Sequence, residues 1–218
     1  CAVSQKGGVG KTTLLLHLSI AALARRLAVL VIDLDPQRSA EQWSELREQW
    51  LGEDEPTVVH GTATGLDGLL QAAHETNTDL VMIDTPPALD KSMIYAAAAA
   101  HVVIVPTRSS VLDQFALKET LDYLKRIGAL AKAVVVLNAP STDKKAKADV
   151  EQVAGGFGVK VLAITVEDQV ELASSLGEGK GVTESAPKRK AARTVRELYA
   201  QLSEFEKGLA RVRKRVAS

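Results

Sequence analysis

Cysteine occurs once in these 218 residues, at Cys1, so neither an internal disulfide framework nor an all-cysteine metal site can be built. A metal or iron–sulfur carrier needs paired cysteines, and that reading falls with them. Aromatic residues make up only 4% of the chain, too few near its basic end to form a stacking platform for single-stranded nucleic acid. No uninterrupted apolar run approaches the roughly 20 residues of a bilayer span. No signal peptide is visible either, which makes the cytosol the expected compartment. Net charge is also missing, with 27 basic and 27 acidic side chains, yet that balance hides an asymmetry. Residues 1–179 carry 16 Lys/Arg against 23 Asp/Glu, and residues 180–218 carry 11 against 4. A basic end on an electroneutral chain points either to a polyanion-binding surface or to a solvated helix face.

What the chain does have is concentrated in Gln5-Lys6-Gly7-Gly8-Val9-Gly10-Lys11-Thr12-Thr13. Ala2-Val3 before it reads as the end of a buried strand. The apolar run from Thr12 onward reads as a buried helix. Glycines between a strand and a helix form the setting in which a phosphate-binding loop works. Gly7, Gly8 and Gly10 let the backbone approach an anion closely, and the helix N-terminus favours negative charge there. Val9 supplies loop backbone. Lys11 is expected to bridge the β- and γ-phosphates of a nucleotide, the Thr12 hydroxyl to ligate Mg²⁺, and Thr13 to contact the α-phosphate. Gln5 departs from the usual pattern, standing where its first glycine would be. Lys6 adds a second cation on the far side of the glycines. It is either solvated or reaches across a subunit interface to a partner's phosphates, as an arginine finger does.

The chain is long enough for one large α/β domain with a well-buried sheet, spanning residues 1–218. It opens inside a strand without methionine, so a few residues are expected to precede Cys1. Strand-like runs at 28–32, 80–83, 102–105, 133–137 and 159–164 do not alternate, as in strands buried on both faces of a mostly parallel, twisted sheet. Val58-Val59 suggests a short further strand. Helices are expected on both faces, near 12–26, 39–51, 65–75, 90–99, 111–127, 143–156, 167–176 and 187–215. Ser141–Asp149 reads as charged and exposed. Pro187 belongs in the first turn of the last helix. That helix carries an apolar stripe of Leu198, Leu202, Phe205, Leu209, Val212 and Val216. Its basic residues lie largely off the stripe, among them Arg211, Arg213, Lys214 and Arg215.

Polar residues follow the strands directly, where open α/β sheets bind ligands. Asp84 follows an apolar strand and is expected to hold Mg²⁺ through water. Asp35 is the choice for orienting the attacking water, with Asp33 as its alternative or as a supporting magnesium-shell carboxylate. Aspartates in such places also cap helices and turns. Asn138 has the donor and acceptor pattern to read adenine, or it caps its strand.

With these residues placed, the chain resembles the ParA/MinD group of deviant-Walker ATPases, and within it the small ParA-type partition ATPases. Lys6–Thr13 matches the signature-lysine P-loop. Asp33-Leu34-Asp35-Pro36-Gln37 matches the second motif, and Asp84-Thr85-Pro86-Pro87 the Walker-B motif. Val136–Ala139 and Gly179–Glu184 resemble later segments, so the similarity covers nearly the whole chain. Arg38 replaces a glycine common after Asp-Pro-Gln, and Thr107-Arg108 stands where a glutamine-containing segment is frequent. The resemblance implies a P-loop NTPase fold and an ATP- and Mg²⁺-dependent sandwich homodimer that returns to ADP by slow hydrolysis. It further implies binding of double-stranded DNA without sequence preference, stimulation by a ParB-type or other adaptor, and a nucleoid-associated location. The DNA surface would be Lys188, Arg189, Lys190, Arg193 and Arg196, with Lys180 beside them. A MinD-like membrane-cycling role is the alternative. It requires bulky apolar anchors in the terminal helix, and residues 205–218 offer Phe205 as their one aromatic.

Overall fold

A computed structural model describes residues 1–138, 144–162 and 169–216. Parallel strands form its centre. Val29–Asp33 (β1) pairs with Thr57–His60 (β2) on one side and Leu80–Asp84 (β3) on the other. Val103–Thr107 (β4), Ala133–Leu137 (β5) and Lys160–Val161 (β6) form a second parallel set in the order β4-β5-β6. The segment at Ala2 joins the two sets. Its backbone N–H donates to Ile83 O at 3.1 Å, and Val3 N–H donates to Ile104 O at 2.9 Å. The short apolar start of the chain therefore threads the middle of the sheet, between β3 and β4.

The strand side chains alternate between two helical layers. Val29, Val31, Met82, Ile104, Val134 and Val136 pack with Lys11–Leu23 (α1), Ser39–Leu51 (α2), Gln169–Gly177 (α7), Val182–Ser185 (α8) and Lys190–Val216 (α9). Ile32, Ile83, Val103, Val105, Val135 and Leu137 face Leu66–Glu75 (α3), Lys91–Ala99 (α4), Val111–Arg126 (α5) and Lys144–Gly156 (α6). Both faces are apolar because both are covered, which is why the strands read as continuous runs. Leu14, Leu15, Leu16, Leu18 and Ile20 on α1 are all essentially buried. This helix lies between the sheet and α9 and is apolar nearly all round.

The expected elements are present with shifted ends. The last helix begins at Lys190 rather than at 187, and the short α8 was not anticipated. Proline disfavours helical geometry in the residue before it, and Ala186 is accordingly out of the helical region at φ −139°, ψ 57°. Pro187, Lys188 and Arg189 thus form a turn between α8 and α9. Leu198, Leu202 and Phe205 pack into the core beside α1, as the stripe suggests. The strand end expected at Ile164, Thr165 after it, and the loop start at 141–143 lie outside the described residues. So do the side chains of Val212, Arg213, Lys214, Arg215 and Val216.

Candidate active site

The parallel register brings the strand ends level. Asp33 lies beside Asp84, and Asp84 beside Ala2, so the loop after Val3 rises between both aspartates and β4. In this loop Gly8 and Gly10 take positive φ of 72° and 92°. Gly10 also has no room for a side chain, since a Cβ there would fall 2.1 Å from Asn138 Nδ2. Asn138 is buried, and its amide donates to the Val9 carbonyl at 2.6 Å. It braces the loop from behind.

Gly7, Gly8, Gly10, Lys11, Thr12 and Thr13 line a cavity of about 580 Å³, together with Asp35 and Pro87. Lys11 is 7% exposed. Burial pulls its pKa down, while Asp84 and then Asp35 hold the ammonium form. The Thr12 hydroxyl donates to Asp84 Oδ2. Burial pushes the Asp84 carboxyl up to about 7, against the opposing hydrogen bond from Thr12. A glycine-walled anion cradle beside a lysine, with a hydroxyl and a carboxylate in contact at its edge, fits a nucleotide polyphosphate and one hard, oxygen-ligated cation.

The two carboxylates after β1 differ. Asp33 is fully buried, and its Oδ1 accepts from Asp35 N–H at 2.9 Å. Its Oδ2 accepts from Ala40 N–H at 2.9 Å and Glu41 N–H at 3.4 Å. Both oxygens accept from the turn and from the start of α2, so Asp33 braces the backbone on which Asp35 stands. Asp35 is half-buried and lines the cavity. The turn places Arg38 in the left-handed region at φ 53°, ψ 38°.

Lys6 turns away from the glycines. Its ammonium pairs with Asp113 in the first turn of α5. Burial alone would raise the Asp113 carboxyl, but Lys6 and the Ser110 hydroxyl together hold it below the usual range.

Residues 1–182 match the model of the CobQ/CobB/MinD/ParA nucleotide binding domain. The chain belongs to this family. Among relatives of the ParA/MinD domain, the Maintenance of carboxysome distribution protein A of Gloeobacter kilaueensis is 41% identical over 118 residues, covering 53% of this chain and 51% of that protein. The chromosome-partitioning ATPase Soj of Thermus thermophilus is 28% identical, over 91% of this chain and 92% of its own length. The MinD cell division protein of Aquifex aeolicus shares the fold with a TM-score of 0.74 at 17% identity, covering 93% of this chain and 95% of that one.

In this ParA/MinD-family chain the basic residues expected to meet DNA do not line the cavity. Lys188, Arg189, Lys190 and Arg193 are exposed at the start of α9 and in the turn before it. Arg189 faces Glu171 at 3.5 Å. Arg193 donates to Lys188 O at 3.2 Å. Arg196 is half-buried and donates to Pro187 O at 2.8 Å, so it closes the turn as well as carrying charge.

Three residues with clear work escaped the sequence reading. Asp113 holds Lys6, and the Ser110-Val-Leu-Asp113 pattern of a helix start was its available signal. His17 is buried on α1. Its Nδ1 accepts from Val182 N–H at 3.1 Å, and its Nε2 donates to Leu172 O at 3.2 Å. Arg47 on α2 is buried and grips both carboxylate oxygens of Glu184 at 2.9 Å, and also Gly179 O at 2.9 Å. Nothing local in the sequence marks either side chain. Among the described residues no helix is long and apolar enough to cross a membrane.

Proposed function

We propose that this chain is an ATP-hydrolysing positioning switch. It binds ATP with Mg²⁺, pairs with a second copy while ATP is bound, and holds double-stranded DNA without sequence preference. Through that cycle it distributes a plasmid, a chromosomal origin or a protein cargo. The observation that carries this reading is the cluster of Lys11, Thr12, Asp84 and Asp35 around one glycine-walled cavity. Lys11 and the loop N–H groups bind and neutralise the phosphates. Thr12 and Asp84 would hold Mg²⁺, which when bound adds positive charge to the phosphate oxygens. Asp35, free of the helix-capping duty that Asp33 carries, orients the attacking water. Hydrolysis is slow until an adaptor of the ParB type, or another, completes the site.

Exposed Lys188, Arg189, Lys190 and Arg193 form the DNA surface, with contacts to phosphates and a steep salt dependence. Arg196 supports it. The membrane-cycling alternative is less favoured, because Leu198, Leu202 and Phe205 are already spent on packing beside α1. Random-sequence duplex DNA should bind with ATP but not with ADP or without nucleotide. The double variant Arg189→Glu/Arg193→Glu should weaken that binding by more than about tenfold at low salt and leave basal ATPase activity intact. Equal binding in all three nucleotide states would defeat the switch. Unchanged affinity in the variant would move the surface elsewhere, and binding to anionic vesicles instead of DNA would favour the alternative.

A further inference from the structure

The phosphate cavity has a wall that the roles assigned above leave unused. Ser39, Gln42, Trp43 and Leu46 line it from α2, and Leu16 of α1 and Leu176 of α7 complete it. At helical spacing the four α2 residues share one face, so α2 runs along the cavity rather than merely ending at it. Trp43 stands out in this wall. It is 6% exposed and belongs to the core cluster that includes Leu16. Its Nε1 is shielded from solvent and has no hydrogen-bond partner among the described residues. An indole N–H can only donate, and a buried donor is costly to leave unpaired. The ring is held in place. The Arg47 guanidinium lies 5.7 Å from its centroid, and Arg47 is itself fixed by Glu184 and Gly179. The acceptor must therefore come to the indole.

We propose that Trp43 belongs to the nucleotide site, its indole N–H donating to an oxygen of the nucleotide held in this cavity. The inference rests on the nucleotide reading of the cavity, which the glycines, Lys11 and the family match support without Trp43. Chemistry selects the occupant. The glycine-walled end fits a polyphosphate, whose oxygens accept hydrogen bonds, the complement of a group that can only donate. One continuous cavity holds both ends, so a single ligand can meet the glycines and the α2 wall. Its volume of about 580 Å³ falls within the roughly 300–1,000 Å³ of small-molecule sites. Because Nε1 is shielded, making the contact takes a small adjustment of the α2 wall. The hydrogen bond gained is what drives it. The turn that carries Asp35 leads directly into α2, so the same adjustment brings Asp35 and the indole onto one ligand.

The test is heteronuclear NMR of the whole chain carrying isotope-labelled tryptophan, which gives one indole N–H signal for each of its two tryptophans. Trp50→Phe assigns them, since Trp50 is 57% exposed and removable without touching the core. On adding Mg²⁺ with ADP or with the non-hydrolysable analogue AMPPNP, the Trp43 indole proton should shift downfield and exchange more slowly with solvent, while the Trp50 signal stays in place. Fluorescent ATP-analogue binding is measured in parallel. Trp43→Phe keeps an apolar ring and loses the N–H, and should raise the nucleotide dissociation constant by about tenfold or more, as for one hydrogen bond to a charged acceptor. A Trp43 signal that stays put while nucleotide binds would overturn the proposal and leave the nucleotide reading standing; a buried water as the sole partner gives that same result. An unchanged dissociation constant in Trp43→Phe would overturn it as well. The NMR measurement needs no change at Trp43, so it decides the matter even if that variant fails to fold. A wild type that binds no nucleotide would instead remove the nucleotide reading itself.

Discussion

Arg38 shows how much one residue's backbone matters next to this site. It sits at the N-cap of α2 with φ 53°, in a region that L-residues enter at a penalty of roughly 1–2 kcal/mol. Its exposed ion pair with Glu41 at 3.5 Å returns little of that. The turn is held by Asp33 and by Arg38 N–H donating to Asp35 O at 2.9 Å, so it keeps its shape whatever side chain stands there. Arg38→Gly should therefore stabilise the protein by on the order of 0.5–1 kcal/mol, after subtracting glycine's greater freedom when unfolded. Urea denaturation checks this, and a lowered midpoint would mean that the arginine side chain has contacts of its own. At this scale the sequence was most readable where chemistry is local. The loop glycines, Lys11 and Thr12 announce themselves within nine residues. The Lys6–Asp113 pair joins residues 107 positions apart, and nothing near either residue reports the other.

At the scale of elements, a buried polar side chain ties α1 to its neighbours. Its His17 links it to the carbonyl of Leu172 on α7 and to the first N–H of α8. Burial pulls the imidazole down to about 4, although the Leu172 carbonyl favours the protonated form. The neutral ring is the one that fits, since Nδ1 must accept. A depressed folded pKa means that the contribution is whole above the unfolded value of about 6.5. It is then lost as pH falls through 6.5 toward 4, by about 3 kcal/mol at the lower end. Denaturation midpoints should accordingly fall more steeply over that window in the wild type than in His17→Gln. Parallel profiles would show that the ring is not what senses acid. Strand and helix positions were legible because their periodicity is strong. The α8–α9 turn was not, because Pro187 is equally at home in a first helical turn and in the turn before one. Only the non-helical backbone of Ala186 settles which.

At the scale of the whole molecule, the sheet converts distance in sequence into neighbourhood in space. Ala2 runs between β3 and β4, so the loop, Asp35 and Asp84 meet at one edge although they come from three separate strands. The strands are marked by buried apolar runs, which is why the fold class could be read early, while their order shows only in the pairing. The exposure of Val111, Leu112 and Phe115 could not be read early, since apolar residues in the first turn of α5 look like any other helix start until their burial is known. In the proposed cycle, Asp35→Ala removes the water-orienting group and leaves Lys11 and Thr12 in place. ATP affinity should persist, turnover should fall by roughly 10²-fold or more, and the dimer should outlast the wild-type one in ATP on size-exclusion chromatography. A monomeric variant under those conditions would argue that Asp35 belongs to assembly rather than to hydrolysis.

The α2 helix has a mechanical property that follows from its two ends. Its 13 residues make a rod about 20 Å long. One end is pinned by Asp33, beneath the turn that presents Asp35 to the cavity. Toward the other end, Arg47 is bolted to Glu184 and Gly179, directly ahead of the turn that carries Lys188 and Arg189. A stiff rod fastened twice cannot slide at one fastening alone. A displacement of the Asp35 turn along the helix axis would load the paired contacts of Arg47 with Glu184, so α2 is the element that ties the phosphate cavity to the positively charged edge.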